Sequence, residues 1–359
     1  MKEILKPGLH WLFAFIPITL AFEYSHASAP LVFFSAALSI VPIAKLIGHS
    51  TEQLATYTGD AIGGLLNATF GNFPELIIAV VALKAGLHDM VLASLAGAIL
   101  GNLLLALGAS FLLGGIKFHN QEYNPTSIRV YSSMMMIAVL SLTVPGAFHR
   151  FLGSETATSH EDELNIYLSV VLLVAYGLYL VFMLKTHRDF FKSEGGEHGS
   201  DQEERWSVQR AILSLVGASV MAAFMSEVLV GAAEETGEVL GMSSAFIGVV
   251  FLSVVGGAAE SISAIAMATK NKMDLSISIL LGSSIQIALF IAPALVLLSL
   301  VIGPRQMNLN FSHALIVCMF MAVILGTMIG GDGRSNWYKG VQLMIVYFIL
   351  AMMLYFVPA

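Results

Sequence analysis

The sequence predicts an all-α polytopic membrane protein of about eleven transmembrane helices, arranged as one N-terminal helix plus two inverted five-helix repeats. Three observations carry that prediction. The 359 residues are 57% hydrophobic and only 11% charged, with a mean hydropathy of +0.82, whereas soluble domains carry roughly 25% charged residues. Apolar stretches long enough to cross about 30 Å of hydrocarbon, at about 1.5 Å per helical residue, recur along the chain. Two glutamates, Glu75 and Glu260, each follow a glycine-containing turn deep inside one of those stretches.

In chain order the expected spans are 9–24, 29–48, 60–84, 90–114, 128–147, 164–185, 207–229, 243–269, 273–302, 310–329 and 337–357. The first follows Lys2 and Lys6 and could pass for a signal peptide. It lacks a convincing small-residue cleavage site and further spans follow, so it reads as a transmembrane helix. Connections are short except for two polar stretches, 149–163 and 186–206. The first holds Ser159-His160-Glu161-Asp162-Glu163, read as an acidic loop without meaning of its own. The second, with Glu194, Gly195, Gly196, Glu197, Asp201, Glu203 and Glu204, is the only obvious linker. The parts are then 1–28 for the N-terminal helix, 29–185 for the first repeat, 186–206 for an acidic cytoplasmic linker, and 207–359 for the second repeat.

Loop charges orient the spans. With the N-terminus cytoplasmic, all 17 lysines and arginines except Lys84, Arg150 and Arg305 fall on one side, the bias expected of cytoplasmic loops. Eleven spans then put the C-terminus outside. The short tails resemble those of a prokaryotic plasma-membrane protein.

The repeat is visible at an offset of 185 residues, the separation of Glu75 and Glu260. The same offset pairs Ile62 with Ile247, Gly63 with Gly248, Gly71 with Gly256, Ile77 with Ile262, and Ala79 with Ala264. It continues through Asp89 and Asp274, Leu95 and Leu280, and Gly97 and Gly282. By the loop charges the two glutamate helices run in opposite directions. Inverted repeats of this kind belong to secondary transporters, whose sites lie between the repeats near the midplane.

Other classes are excluded by composition. A single cysteine, Cys318, rules out an internal disulfide framework and a cysteine-rich metal cluster. A net charge of −7, with basic residues scattered among loops, offers nothing to nucleic acid. There is no H-E-x-x-H, phosphate-binding glycine loop or Gly-x-Ser-x-Gly elbow, so the chain reads as a transporter, not an enzyme, without a cofactor. Oligomeric state is not legible.

The chemistry sits in two motifs. In Asn67-Ala68-Thr69-Phe70-Gly71-Asn72-Phe73-Pro74-Glu75, Pro74 has no N–H, which deprives the Phe70 carbonyl of its helical partner, and Gly71 loosens the same turn. Freed carbonyls at membrane depth must line a cavity or find neighbours. With Asn72 and the Glu75 carboxylate they form an all-oxygen cluster, the donor set that hard cations such as calcium require. Gly256-Gly257-Ala258-Ala259-Glu260 supplies the second carboxylate without a proline, and two carboxylates would balance a divalent cation. The plainer alternative makes each glycine a packing device and each glutamate a partner of a polar neighbour.

The following helices add Ser94, Gly97, Gly101 and Asn102 in the first half, and Ser276, Ser278, Gly282, Ser283, Ser284 and Gln286 in the second. Gly97-x-x-x-Gly101 reads as a helix-packing pair. Asn102 and Gln286, one position out of register, could both reach the site or simply bond between helices. Glu227 reads as a gate or proton acceptor, or equally as an interfacial acid at a helix end. Glu234, Glu235 and Glu238 are expected in an outward loop, concentrating cations at an entrance. His49, near Glu52, reads as interfacial.

These motifs resemble the CAX family of calcium/proton exchangers, within the calcium/cation antiporter superfamily. Gly71-Asn72-Phe73-Pro74-Glu75 resembles its Gly-Asn-x-x-Glu signature. Gly256-Gly257-Ala258-Ala259-Glu260 resembles Gly-Asn-Ala-Ala-Glu. Lys270-Asn271-Lys272-Met273-Asp274, Gly282-Ser283-Ser284-Ile285-Gln286-Ile287-Ala288 and Asp332-Gly333-Arg334-Ser335-Asn336-Trp337 are similar to later family segments. Two departures stand out: Gly257 replaces the usual asparagine, and Phe73-Pro74 replace small residues. The resemblance covers about residues 40–357. It implies that Glu75 and Glu260 bind calcium and exchange it for protons, with Asn72, Asn102, Ser283 and Gln286 around them, and that the acidic linker joins the halves.

The expected mechanism is alternating access, exporting cytosolic calcium against inward proton flow. With calcium gone, burial and mutual repulsion disfavour two anions, so protons compete for the same carboxylates. A sodium/calcium exchanger of the same superfamily is the nearest rival, but Ala98 and Gly101 stand where the second half has Ser283 and Gln286, a thin oxygen set for sodium. A cation channel is more remote, and an intramembrane hydrolase lacks histidine ligands and a nucleophile.

Overall fold

The computed structural model describes residues 8–58, 63, 65–66, 69–151, 154–187 and 205–356. The acidic linker residues Glu194 to Glu204 lie outside the described residues. We number the helices α1 Leu9–Tyr24, α2 Ala29–Ala55, α3 Phe73–Lys84, α4 His88–Phe118, α5 Pro125–Phe148 and α6 His160–Thr186. The second half contains α7 Val208–Leu240, α8 Ser244–Gly256, α9 Ala258–Thr269, α10 Met273–Ser299, α11 His313–Gly330 and α12 Trp337–Tyr355. The described strands are β1 Asn120–Glu122 and β2 Arg334–Asn336. The architecture is that of an all-helical membrane protein.

Eight of these helices are long and apolar enough to cross a bilayer, and α8 with α9, bent by 59°, makes a ninth. The expected eleven are not reached on that measure among the described residues. Helix α1 is shorter, and the expected span 60–84 lies partly outside the description, its ordered part being α3. Helices α4 and α10 are buried along most of their length, whereas α6 and α12 turn most of their surface outward. That is the arrangement of two inner helices ringed by outer ones, with apolar side chains facing lipid.

The 185-residue offset survives folding. Helix α3 maps residue for residue onto α9, and the start of α4 at His88 maps onto the start of α10 at Met273. Both inner helices then widen into π-type turns at matching places, Gly101–Ala106 and Ile287–Ile291. Such turns open an α-helix locally and recur at functional sites.

Small residues let the halves meet. Gly97 of α4 lies directly against the Val249 backbone of α8, and a Cβ on Gly248 would come within 2.8 Å of the Met90 carbonyl. Close backbone approach is what glycine permits. The expected packing role therefore fits Gly97. At Gly101 a Cβ would meet no described atom within 4 Å.

Each half also holds the other's helix turn. The β1–β2 ribbon pairs Gln121 with Ser335 across the halves, and Gln121 Nε2 donates to Ala268 O and Asn271 Oδ1, both at 2.9 Å, in the α9–α10 turn. The Asn124 N–H donates to Asp274 Oδ1 at 2.7 Å. At the α3–α4 turn, Gly303 sits against the Leu83 carbonyl and Pro304 against Gly86. At the linker's last residue, the Trp206 N–H donates to Gln53 Oε1 at 3.0 Å, its carbonyl accepts from the Tyr57 hydroxyl, and its ring meets His49 edge-on.

Two polar stretches expected as loops are helical. Ser159 to Glu163 lie in the helical run Ser154–Val181, and Glu234, Glu235 and Glu238 lie in Ala233–Leu240 with exposed side chains. Composition alone does not distinguish a polar helical turn from a connection, so polarity there did not mark a break in the helix.

Candidate functional site

The two glutamates occupy identical places. Each is the third residue of a helix that restarts at membrane depth: Glu75 after Asn72 in α3, Glu260 after Gly257 in α9. The flanking backbones match, with φ −100°, ψ 30° at Asn72 and φ −80°, ψ 14° at Gly257. The first backbone bonds of the new helices match as well, Leu76 N to Asn72 O at 3.1 Å and Ser261 N to Gly257 O at 3.0 Å. Pro74 is in the first turn of α3, where its missing N–H costs nothing. It therefore starts a helix instead of kinking a continuous one. The second half makes the same restart with Gly256-Gly257.

Glu75 turns inward, and Glu260 is half-buried with Oε2 enclosed. Glu75 is 8% exposed, and neither of its oxygens, nor Glu260 Oε2, has a hydrogen-bond partner among the described residues. A Cβ on Gly256 would approach Glu75 Cγ to 2.8 Å, so the second motif packs on the first glutamate. A buried carboxylate without a donor is expensive. The helix N-termini offset part of that cost, and a bound cation or proton would offset more.

Amides and hydroxyls frame the pair. Asn72 Nδ2 donates to the Ser283 carbonyl at 3.1 Å, and Ser283 Oγ donates to Asn72 Oδ1 at 2.9 Å. Asn102 Nδ2 donates to Ser283 Oγ at 2.9 Å. Asn72, Asn102, Ser283 and Gln286 are all buried. Gln286 is the outlying member, its Nε2 reaching the Thr69 carbonyl at 3.5 Å. Among the described residues no cluster of three or more His, Cys, Asp or Glu side chains forms. The oxygens available are two carboxylates with amide, hydroxyl and backbone groups.

Other expected residues go elsewhere. Phe70 packs against Phe73, ring centroids 5.1 Å apart. Ser94 and Ser284 bond back to their own helices, at Val91 O and Leu280 O. Ser278 pairs with the Tyr131 hydroxyl at 2.9 Å. Ser276 is buried with its hydroxyl unpartnered among the described residues. Glu227 is exposed and pairs with Lys84 at 3.8 Å, away from the cluster. Ser253 was not foreseen: it is buried one turn before Gly257, whose N–H its carbonyl accepts at 2.9 Å. Its position one helical turn ahead of the glycine pair was the available signal.

Two restarted helices, each with a carboxylate in its first turn, beside a polar cluster in an otherwise apolar bundle, define a multi-pass membrane transporter of the broken-helix type. Comparison with known proteins gives the family. The family model described as sodium/calcium exchanger protein matches residues 28–185 and 210–356, and the chain belongs to that family. It is 37% identical over 362 residues to the Ca(2+)/H(+) antiporter of Aphanothece halophytica, covering 97% of this chain and 96% of that protein. It is 39% identical over 338 residues to the Ca(2+)/H(+) antiporter ChaA of Bacillus subtilis (strain 168), covering 94% and 95%. Among solved structures, native YfkE superposes with a TM-score of 0.84 at 36% identity, covering 98% of this chain and all of that one.

Proposed function

We propose that this chain exchanges Ca2+ for H+ across a membrane by alternating access, with Glu75 and Glu260 as the shared binding groups. The observation that carries the reading is the pair of carboxylates at equivalent positions of two restarted helices, with both Glu75 oxygens and Glu260 Oε2 enclosed and without a hydrogen-bond partner among the described residues. Two relatives named Ca(2+)/H(+) antiporters, 37% and 39% identical over nearly the whole chain, support the choice of ions.

The chemistry follows from competition. Two anions at membrane depth match one divalent cation, and calcium accepts a flexible shell of oxygens. Asn72, Asn102, Ser283 and Gln286 stand nearby as neutral donors. Once calcium leaves, the same oxygens take protons, because the alternative is two desolvated charges side by side. Either cargo neutralises the site enough for the carrier to reorient; the doubly charged empty site is held back. That exclusion is the coupling.

The same reading takes 29–185 and 207–359 as the two repeats, which the two-part family match supports. It places the N-terminus in the cytoplasm and the C-terminus outside, in a prokaryotic plasma membrane. Loop charge supports that orientation, and the direction of exchange would be calcium export. The acidic linker, 186–206, then lies on the cytoplasmic side.

Calcium flux into proteoliposomes under an imposed pH gradient, with and without sodium, tests this. Flux should follow the pH gradient without sodium and vanish in Glu75→Gln and Glu260→Gln. Flux that requires sodium would assign the chain to sodium/calcium exchange, and flux that survives both substitutions would remove the glutamates from the site.

A further inference from the structure

The polar frame is one-sided. Under the 185-residue offset, Asn72 corresponds to Gly257 and Ser283 to Ala98. The Asn72–Ser283 pair makes two mutual hydrogen bonds. Its symmetry mate, Gly257 and Ala98, has lost both members: amide and hydroxyl are missing together.

Neighbouring glycines show that Gly257 is not required by the backbone. Its φ of −80° and ψ of 14° suit any residue and nearly reproduce those of Asn72. Gly256 differs, since a Cβ there would collide with Glu75 Cγ at 2.8 Å. At Gly257 a Cβ would be tight only against the Ser253 carbonyl, at 3.3 Å, and in ordinary contact with Glu75 Oε1 at 3.5 Å and Asn102 Oδ1 at 3.8 Å. All three are oxygens. Asn102 turns its amide nitrogen to Ser283 and its oxygen toward Gly257, so acceptors surround this position, beside a carboxylate with no hydrogen-bond donor among the described residues.

We infer that Gly257 and Ala98 together set cation selectivity, by leaving an oxygen-lined space beside Glu75 in which the transported cation keeps a water molecule. The inference rests on the paired-glutamate reading of the site. A water there can donate to two of the three acceptors and turn its lone pair to the cation, the two to four contacts that hold buried water in place. In a frame restored by asparagine and serine, an amide oxygen takes the water's place. The consequence is chemical. Calcium exchanges its water readily for protein oxygens, whereas magnesium dehydrates reluctantly and binds where waters are retained. A site that keeps water therefore admits magnesium, as a competitor or as cargo, and a completed frame rejects it.

The test is radiolabelled calcium uptake by proteoliposomes driven by a pH gradient, titrated with Mg2+, in wild type, Gly257→Asn, and Gly257→Asn with Ala98→Ser. The expected result is that the Mg2+ concentration halving calcium uptake rises about tenfold in the double variant, a change of the size one hydrogen-bonding group makes. The single variant, whose new amide has no serine partner, should change less. Gly257→Ala fills the space with a methyl and supplies no oxygen, so it should raise the KM for calcium; this variant decides the matter if the double variant fails to elute as a folded species. Unchanged magnesium inhibition in a folded double variant, or an unchanged calcium KM in Gly257→Ala, overturns the inference. Glu75→Gln and Glu260→Gln, run alongside, separate the two levels. If they still carry calcium, the paired-glutamate reading falls; if they do not and the Gly257 variants behave as wild type, only the water-retaining space falls.

Discussion

The two restarted helices reach one geometry by different chemistry. In α3 the chain uses an asparagine before the helix and a proline in its first turn; in α9 it uses two glycines. Backbone angles, helix length and the glutamate's place agree, yet one side presents an amide to Ser283 while the other has no side chain at that position. The repeat thus conserves the carboxylate position strictly and the neutral oxygens loosely. Charge balance at membrane depth tolerates no substitute, whereas a neutral ligand can be replaced by water.

If that comparison is right, the carboxylates should be equivalent. Glu75→Gln and Glu260→Gln should each reduce calcium uptake by about a hundredfold or more, a barrier of about 2.7 kcal/mol by the usual conversion. A large difference between the two, measured as initial rates at matched protein incorporation, would mean that one glutamate alone holds the cargo.

Packing should be less equivalent than charge. Gly97 touches the Val249 backbone, while a Cβ on its counterpart Gly282 meets no described atom within 4 Å. Gly97→Ala must therefore push two helices apart, an overpacking cost of about 1–3 kcal/mol, and should lower the unfolding temperature in detergent. Gly282→Ala should stay near wild type. Equal destabilisation of the two variants would show that both crossings are tight.

Much of this was legible before folding. The glutamate pair, the repeat offset and the helix restarts follow from residues whose chemistry is local: an acid in apolar sequence, a glycine, a proline. Non-local choices were not. Ser283 and Ser284 are adjacent, and only the packing of α10 shows that the first faces Asn72 and the second bonds to its own helix. The β1–β2 ribbon joins short polar segments more than two hundred residues apart, with no pattern to announce it. The acidic run Ser159 to Glu163 looked like a loop because composition does not distinguish a charged helical turn from a connection.

The Asn72–Ser283 pair offers a finer test of the one-sided frame. Asn72→Ala and Ser283→Ala each leave a buried polar group unpaired, costing about 1–3 kcal/mol. Because the two residues bond to each other, the double variant should cost less than the sum of the singles. Thermal shifts and calcium KM for all three variants complete the cycle. Ala98→Ser, which adds a hydroxyl opposite a glycine, should show no such coupling to Asn72→Ala. Additive effects at Asn72 and Ser283 would mean that they act on the site separately.

The smallest effect should come from the acid that sequence alone marked as a possible gate. Glu227 pairs with Lys84 at 3.8 Å, and both side chains are more than half exposed. Exposed ion pairs contribute about 0–1 kcal/mol and weaken with salt. Lys84 ends α3, the helix that begins at the Glu75 motif, while Glu227 belongs to α7, so the pair ties a site helix to an outer helix at one end. As a gate, Glu227→Gln would change the rate severely at every ionic strength. As an exposed tie, it should change calcium uptake by less than about twofold, with Lys84→Met behaving alike and added salt erasing the difference. A loss comparable to that of Glu75→Gln would place Glu227 on the ion path and make the site a three-carboxylate system, unlike its symmetric reading.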